Sequence, residues 1–89
     1  MRRAAKVDRN QAAIVLALRG VGATVCITSD VGRGYPDLTV GFRGCTFLVE
    51  VKMPGEGLTP DQVAWHQMWN GHVAIVHSED EAYEAIGAI

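Results

Sequence analysis

The apolar and polar positions of this chain sort into runs of two kinds. Ala12 to Leu18 is an unbroken apolar stretch preceded by Asp8-Arg9-Asn10-Gln11, where a capping side chain stands three residues before Gln. The same start signature recurs at Thr59-Pro60-Asp61-Gln62, with Pro at the first helical position, and at Ser78-Glu79-Asp80-Glu81. Helices are therefore expected over about 8–20, 60–70 and 79–87. Gly20 and Gly22, Gly71, and Gly87 stand where the three would end. The segments 23–28 (ATVCIT), 37–42, 45–52 and 72–77 (HVAIVH) are β-branched and apolar, and read as strands.

The resulting order is α-β-β-β-α-β-α. The last strand follows a crossover helix, so it should join the sheet parallel to a neighbour. The expected fold class is α/β: a compact mixed β-sheet flanked by helices. Arg43-Gly44 between two strand runs reads as a two-residue hairpin loop. That turn opposes Phe42 to Cys45, Val40 to Phe47 and Leu38 to Val49, all apolar and on one face. On the other face Gly41 meets Thr46, Thr39 meets Leu48 and Asp37 meets Glu50, with Lys52 two residues further along.

Composition adds bounds. With 89 residues, 48% hydrophobic and 20% charged, the chain has the proportions of one globular domain. We expect a basic tail over 1–7 and a single domain over 8–89. The longest apolar run is far short of the about 20 residues of a membrane-spanning helix, and the expectation is a soluble, cytoplasmic protein with no membrane partner. Cys26 and Cys45 lack metal or redox spacing and are expected to be buried thiols. The net charge of −2 argues against nucleic acid, but its distribution does not: every Lys and Arg lies in residues 1–52, and residues 53–89 carry only acids. Lys6, Arg9 and Arg33 are candidate phosphate contacts; a solvated tail or loop explains them equally. His66, His72 and His77 have no mutual metal-ligand spacing and read as surface or strand-end residues. Trp65, Met68 and Trp69 share one side of the second helix and read as core, or in part as a subunit interface.

The hairpin carries the chemistry. Two carboxylates opposed across strands at about 4.5–5.5 Å between Cβ atoms repel each other. A divalent cation with oxygen ligands, a shared proton or Lys52 would offset the repulsion. Mg²⁺ suits one or two carboxylates, with water and phosphate oxygens completing its shell. Lys52 beside such a site would act on a water or on charge developing at a phosphate. A solvated strand face bearing an ordinary Glu–Lys pair is the alternative.

Pro36-Asp37 followed downstream by Glu50-Val51-Lys52 resembles the PD-(D/E)xK nuclease signature. Gly34-Tyr35-Pro36-Asp37 together with Gln62 resembles its virus-type replication-repair nuclease (VRR-Nuc) branch, over about residues 8–87. The resemblance implies that Asp37, Glu50 and the Val51 carbonyl bind Mg²⁺ or Mn²⁺, that Lys52 orients or activates water, and that the protein hydrolyses DNA phosphodiesters. Many such proteins carry a Glu in the first helix. This chain departs from that, offering Asp8, Asn10 and Gln11, with Asp8 the only anion. For Asp8 and Gln11 a capping role explains the residue equally well, and the same holds for Gln62, which otherwise joins the catalytic set. The resemblance further implies a phage-type stand-alone protein, a homodimer and action on branched DNA such as four-way junctions. A catalytically inactive nucleic-acid-binding or assembly module with the same fold is the competing reading, and a regulatory partner protein is a third.

Overall fold

The computed structural model describes residues 10–89. Lys6, Asp8 and Arg9, and with them the basic segment 1–7, lie outside the described residues. The elements run α1 (Gln11–Gly20), β1 (Thr24–Ile27), a single 3-10 turn (Ser29–Val31), β2 (Leu38–Phe42), β3 (Cys45–Val51), α2 (Pro60–Met68), β4 (Ala74–Val76) and α3 (Glu79–Ile86). The order is the expected one, with the 3-10 turn added.

The four strands form one sheet in the order β1-β2-β3-β4. β1, β2 and β3 are antiparallel neighbours, whereas β4 lies parallel to β3 because α2 carries the chain back along the sheet. Arg43 and Gly44 both take positive φ, at 51° and 80°, which is the two-residue turn whose twist matches its flanking strands. The turn sets the register, pairing Leu38 with Val49, Val40 with Phe47 and Phe42 with Cys45. This face carries the core. Leu38, Val40, Val49, Val51 and Val76 pack there against Ile14, Val15 and Leu18 of α1 and Ala82 and Ile86 of α3. α1 buries Gln11, Ile14, Val15 and Leu18, the spacing of a single helical stripe. The opposite face carries Thr39, Leu48 and Glu50, and α2 meets it at the Glu50 end.

Four expectations need correction. α1 starts at Gln11, with Asn10 rather than Asp8 as its N-cap residue, and the Asn10 side chain makes no cap hydrogen bond. Its amide instead donates to the carbonyls of Lys52 at 3.1 Å and His77 at 3.0 Å, joining the ends of two parallel strands. α2 stops at Met68, and Trp69 leaves it in an extended conformation, so Gly71 does not end the helix. The close neighbour of Gly71 is the Trp69 indole. Cys26 and Cys45 are exposed, the first on the open face of the edge strand β1 and the second beside the hairpin turn. Of the α2 apolar residues Trp65 is buried, whereas Met68 is 65% exposed and Trp69 39%.

Gly34 fixes how the loop before β2 meets α2. Its φ of +84° is left-handed, and a Cβ there would collide with the backbone carbonyl of Asp61 in the first turn of α2. Gly34→Ala should therefore cost about 2 kcal/mol or more, from conformation and clash together, read as a lowered urea midpoint. An unchanged midpoint would show that this close approach does not hold the loop.

Candidate active site

β2 and β3 part at the end away from the hairpin, and the carboxylates sit there. The paired ladder ends at Leu38 and Val49. Beyond it the Asp37 carbonyl accepts from the Thr28 N–H at 2.7 Å, and the Pro36 carbonyl accepts from the Thr28 hydroxyl at 2.9 Å, so the backbone entering β2 is tied to the end of β1. The Asp37 side chain turns the other way. Its Oδ2 accepts from the Val51 N–H at 2.9 Å, taking the place of a backbone rung, and its Oδ1 lies 3.4 Å from the Ser29 hydroxyl. Ser29 is in turn within 3.3–3.4 Å of the Gln11 amide, which is buried at the first turn of α1. The site therefore draws on the 3-10 turn and on α1 as well as on the hairpin.

Glu50 has a relative accessibility of 0%. Burying a carboxylate is costly unless donors meet it. One donor is the Gln62 amide, whose Nε2 reaches Glu50 Oε2 at 3.0 Å. The same amide accepts the Thr59 N–H through Oε1 at 2.9 Å while Thr59 Oγ1 accepts the Gln62 N–H at 3.3 Å, a complete capping box. The capping role does not keep Gln62 from Glu50. One end of the amide starts the helix and the other holds the carboxylate.

His66 stands one helical turn after Gln62, and its Nε2 is 3.5 Å from Glu50 Oε1. The sequence placed it at the surface; the structure places it half-buried against Glu50. Burial of the ring and the nearby Lys52 ammonium lower its pKa below 6.5. Both influences favour the neutral imidazole. Lys52 is itself buried, at 4% accessibility. Its N–H donates to the Val76 carbonyl at 3.0 Å, and its ammonium lies 3.8 Å from Glu56. The loop after Lys52 is closed by the Met53 N–H donating to Glu56 at 2.9 Å.

Asp37, Glu50, Val51, Lys52 and Gln62 are thus gathered at one end of the sheet. Arg33 is exposed on the loop before β2, in the left-handed conformation with φ 57° that is uncommon outside glycine. The sequence reading missed Ser29 and dismissed His66. The four-residue spacing from Gln62 was the available signal for His66; nothing local marked Ser29.

The residues present fit a hard divalent cation. Among the described residues no three His, Cys, Asp or Glu side chains form a cage of their own. Two carboxylates at a strand end suit an ion that keeps water and takes further oxygens from its substrate, as Mg²⁺ does.

A solved structure of a VRR_NUC domain superposes on this chain with a TM-score of 0.71 at 29% sequence identity, covering 89% of this chain and 91% of that one. No family model and no curated protein matches the chain. The chain has a VRR-Nuc-like fold, that of a nuclease-type domain.

Two outcomes follow from the geometry. Gln62→Met removes both the capping acceptor and the donor to Glu50, and should lower stability by about 2–3 kcal/mol in urea unfolding, more than a lost cap alone. For His66, a folded pKa below 6.5 means that the unfolded chain takes up the proton first on acidification. The contribution of neutral His66 is then complete above about pH 6.5 and is lost as pH falls through the window beneath it. An NMR titration of the His66 ring should give a midpoint under 6.5. A higher midpoint would mean that the Glu50 carboxylate outweighs burial and Lys52.

Proposed function

We propose that this chain is a divalent-metal-dependent DNA endonuclease in which Asp37 and Glu50, with the Val51 carbonyl, hold Mg²⁺ or Mn²⁺ and Lys52 serves the attacking water. The observation that carries this reading is the gathering of Asp37, Glu50 and Lys52 where β2 and β3 part, with Glu50 and Lys52 buried there. Their cost to stability is hard to account for in a purely structural role. The bound ion supplies a lowered water pKa and charge stabilisation at the phosphate.

The side chains do the rest. The Val51 N–H fixes one Asp37 oxygen and Gln62 fixes one Glu50 oxygen, so both carboxylates are oriented before substrate arrives. The Lys52 ammonium orients the water and stabilises charge on the phosphate as the bond breaks. Its main chain is clamped by the Val76 carbonyl on one side and the Asn10 amide on the other. Gln11 and Ser29, at the start of α1 and in the 3-10 turn, keep Asp37 in place by hydrogen bonding rather than by adding a third charge. The inactive-module alternative has no matching reason to bury Glu50 beside Lys52.

The resemblance extends the proposal to branched DNA, a phage-type protein acting in the host cytoplasm and a two-fold dimer. For the dimer there is support on the outer side of α1, where Leu16 is 74% exposed and shares an apolar groove with Ile27 on the edge strand. No helix among the described residues is long and apolar enough to cross a membrane.

The test is a panel of end-labelled single strands, duplexes, flaps and four-way junctions incubated with Mg²⁺, Mn²⁺ or EDTA. Cleavage should require the metal. Asp37→Asn should abolish it and weaken metal binding, with stability within about 1 kcal/mol of wild type, because the Asn oxygen still accepts the Val51 N–H. Lys52→Ala should lose cleavage but retain metal binding. Near-wild-type cleavage by Asp37→Asn would refute the site.

A further inference from the structure

A cleft lies between α2 and the loop that leads into β2. It has a volume of about 520 Å³, within the usual range for small-ligand sites, and its walls include Val31, Arg33, Tyr35, Asp61, Trp65 and Met68. Behind it the rings form a ladder: Tyr35 meets Trp65 edge-on at 5.3 Å, and Trp65 stacks on Trp69 at 4.8 Å with 17° between planes. Two large apolar side chains stand open at its walls, Val31 at 61% and Met68 at 65% exposure. Arg33 makes no ion pair among the described residues.

We infer that this cleft is a subsite for an unpaired nucleobase of the nucleic acid whose phosphate lies at Asp37 and Glu50. The inference rests on the nuclease reading and names what the neighbouring nucleotide must offer. Apolar walls, with Val31 and Met68 open and Tyr35 and the buried Trp65 behind them, suit the face of a base; Asp61 offers hydrogen-bond acceptors to a base edge, and Arg33 a cation to the flanking phosphate. A base within a duplex has its faces stacked and cannot present them. Both of its walls lead along the chain to the proposed site. Tyr35 stands two residues before Asp37, and Trp65 precedes His66, whose ring touches Glu50. Because stacking accepts any base, the subsite selects for unpaired structure and not for sequence.

The experiment avoids metal and catalysis. In EDTA, Trp emission and anisotropy are followed as wild-type protein is titrated with a short oligodeoxythymidine and with an abasic analogue of equal length. The oligodeoxythymidine should bind about tenfold tighter or more and change the Trp emission. Met68→Glu, a substitution at an exposed position, should lose that advantage while keeping its unfolding midpoint. Arg33→Ala should weaken both oligonucleotides alike and flatten the salt dependence. Equal affinity for the two oligonucleotides, or a Met68→Glu variant that binds as wild type does, overturns the subsite. If Met68→Glu instead turns a dimer into a monomer in sedimentation, the cleft belongs to a second copy and the inference also falls. The nuclease reading is separable: a wild-type protein that discriminates the abasic analogue but cuts no DNA with metal would keep the subsite and lose the enzyme. Metal-dependent cleavage without that discrimination would do the reverse.

Discussion

A fully buried glutamate in the middle of a sheet is the constraint on which the rest of this structure turns. Removing a carboxylate from water costs several kcal/mol unless hydrogen bonds and charges are brought to it. Glu50 lies on β3, between β2 and the parallel strand β4, with Ile75 as its β4 partner. Burial there requires cover from the face opposite the main core, which α2 provides by bringing Gln62 and His66 over the strand. The position of α2 in turn dictates the loop on either side. Thr59 and Gln62 set where the helix begins, and Gly34 sets how near the loop before β2 can come. A helix with little buried apolar surface of its own, Trp65 being its one buried residue, is thus held substantially by polar contacts to a charged strand residue.

Much of this was legible because the signals were local. The Arg43-Gly44 turn fixes the pairing of β2 with β3, and alternation fixes which side chains share a face. The opposed positions of Asp37 and Glu50 followed from that register alone. What the register did not convey is that the pair is no ordinary rung. Asp37 gives its oxygen to the Val51 amide, one residue beyond the expected partner, and the strands separate at that point. Side-chain replacement of a backbone partner leaves no periodicity to read. The parallel placement of β4 was legible for a topological reason, since a helix-length crossover returns a strand in the direction in which it left.

The misread residues are those whose partners are distant in sequence. Asn10 looked like part of a cap, and Asn at that position is a good one. Its amide has two donors, however, and two strand-end carbonyls stand within reach, from Lys52 and His77. Turning the NH2 group toward those carbonyls carries the amide oxygen away from the helix N–H groups that a cap would serve, and an unmet buried carbonyl is costly. Gln11 is diverted in the same way, toward Ser29 and through it toward Asp37. A histidine with no metal-ligand spacing is usually a surface residue, and His77 does sit partly exposed with Glu81. His66 departs from that expectation because Gln62 had already turned this side of α2 toward Glu50.

The first turn of α2 and the loop that ends in Asp37 pack backbone to backbone at Gly34, and this bears on how binding and chemistry are connected. Gly34 rests against the Asp61 backbone, with no room between the two segments for a side chain. One residue along, Gln62 holds Glu50; three residues along the loop, Asp37 holds the Val51 amide. The cleft walls, Arg33 and Tyr35 from the loop and Asp61 and Trp65 from the helix, come from these same two segments. A ligand that draws the walls together therefore acts on the partners of both carboxylates at once. On the proposed reading, the contact that recognises the substrate would orient Asp37 and Glu50 through main-chain packing and hydrogen bonds already in place, with no separate moving part.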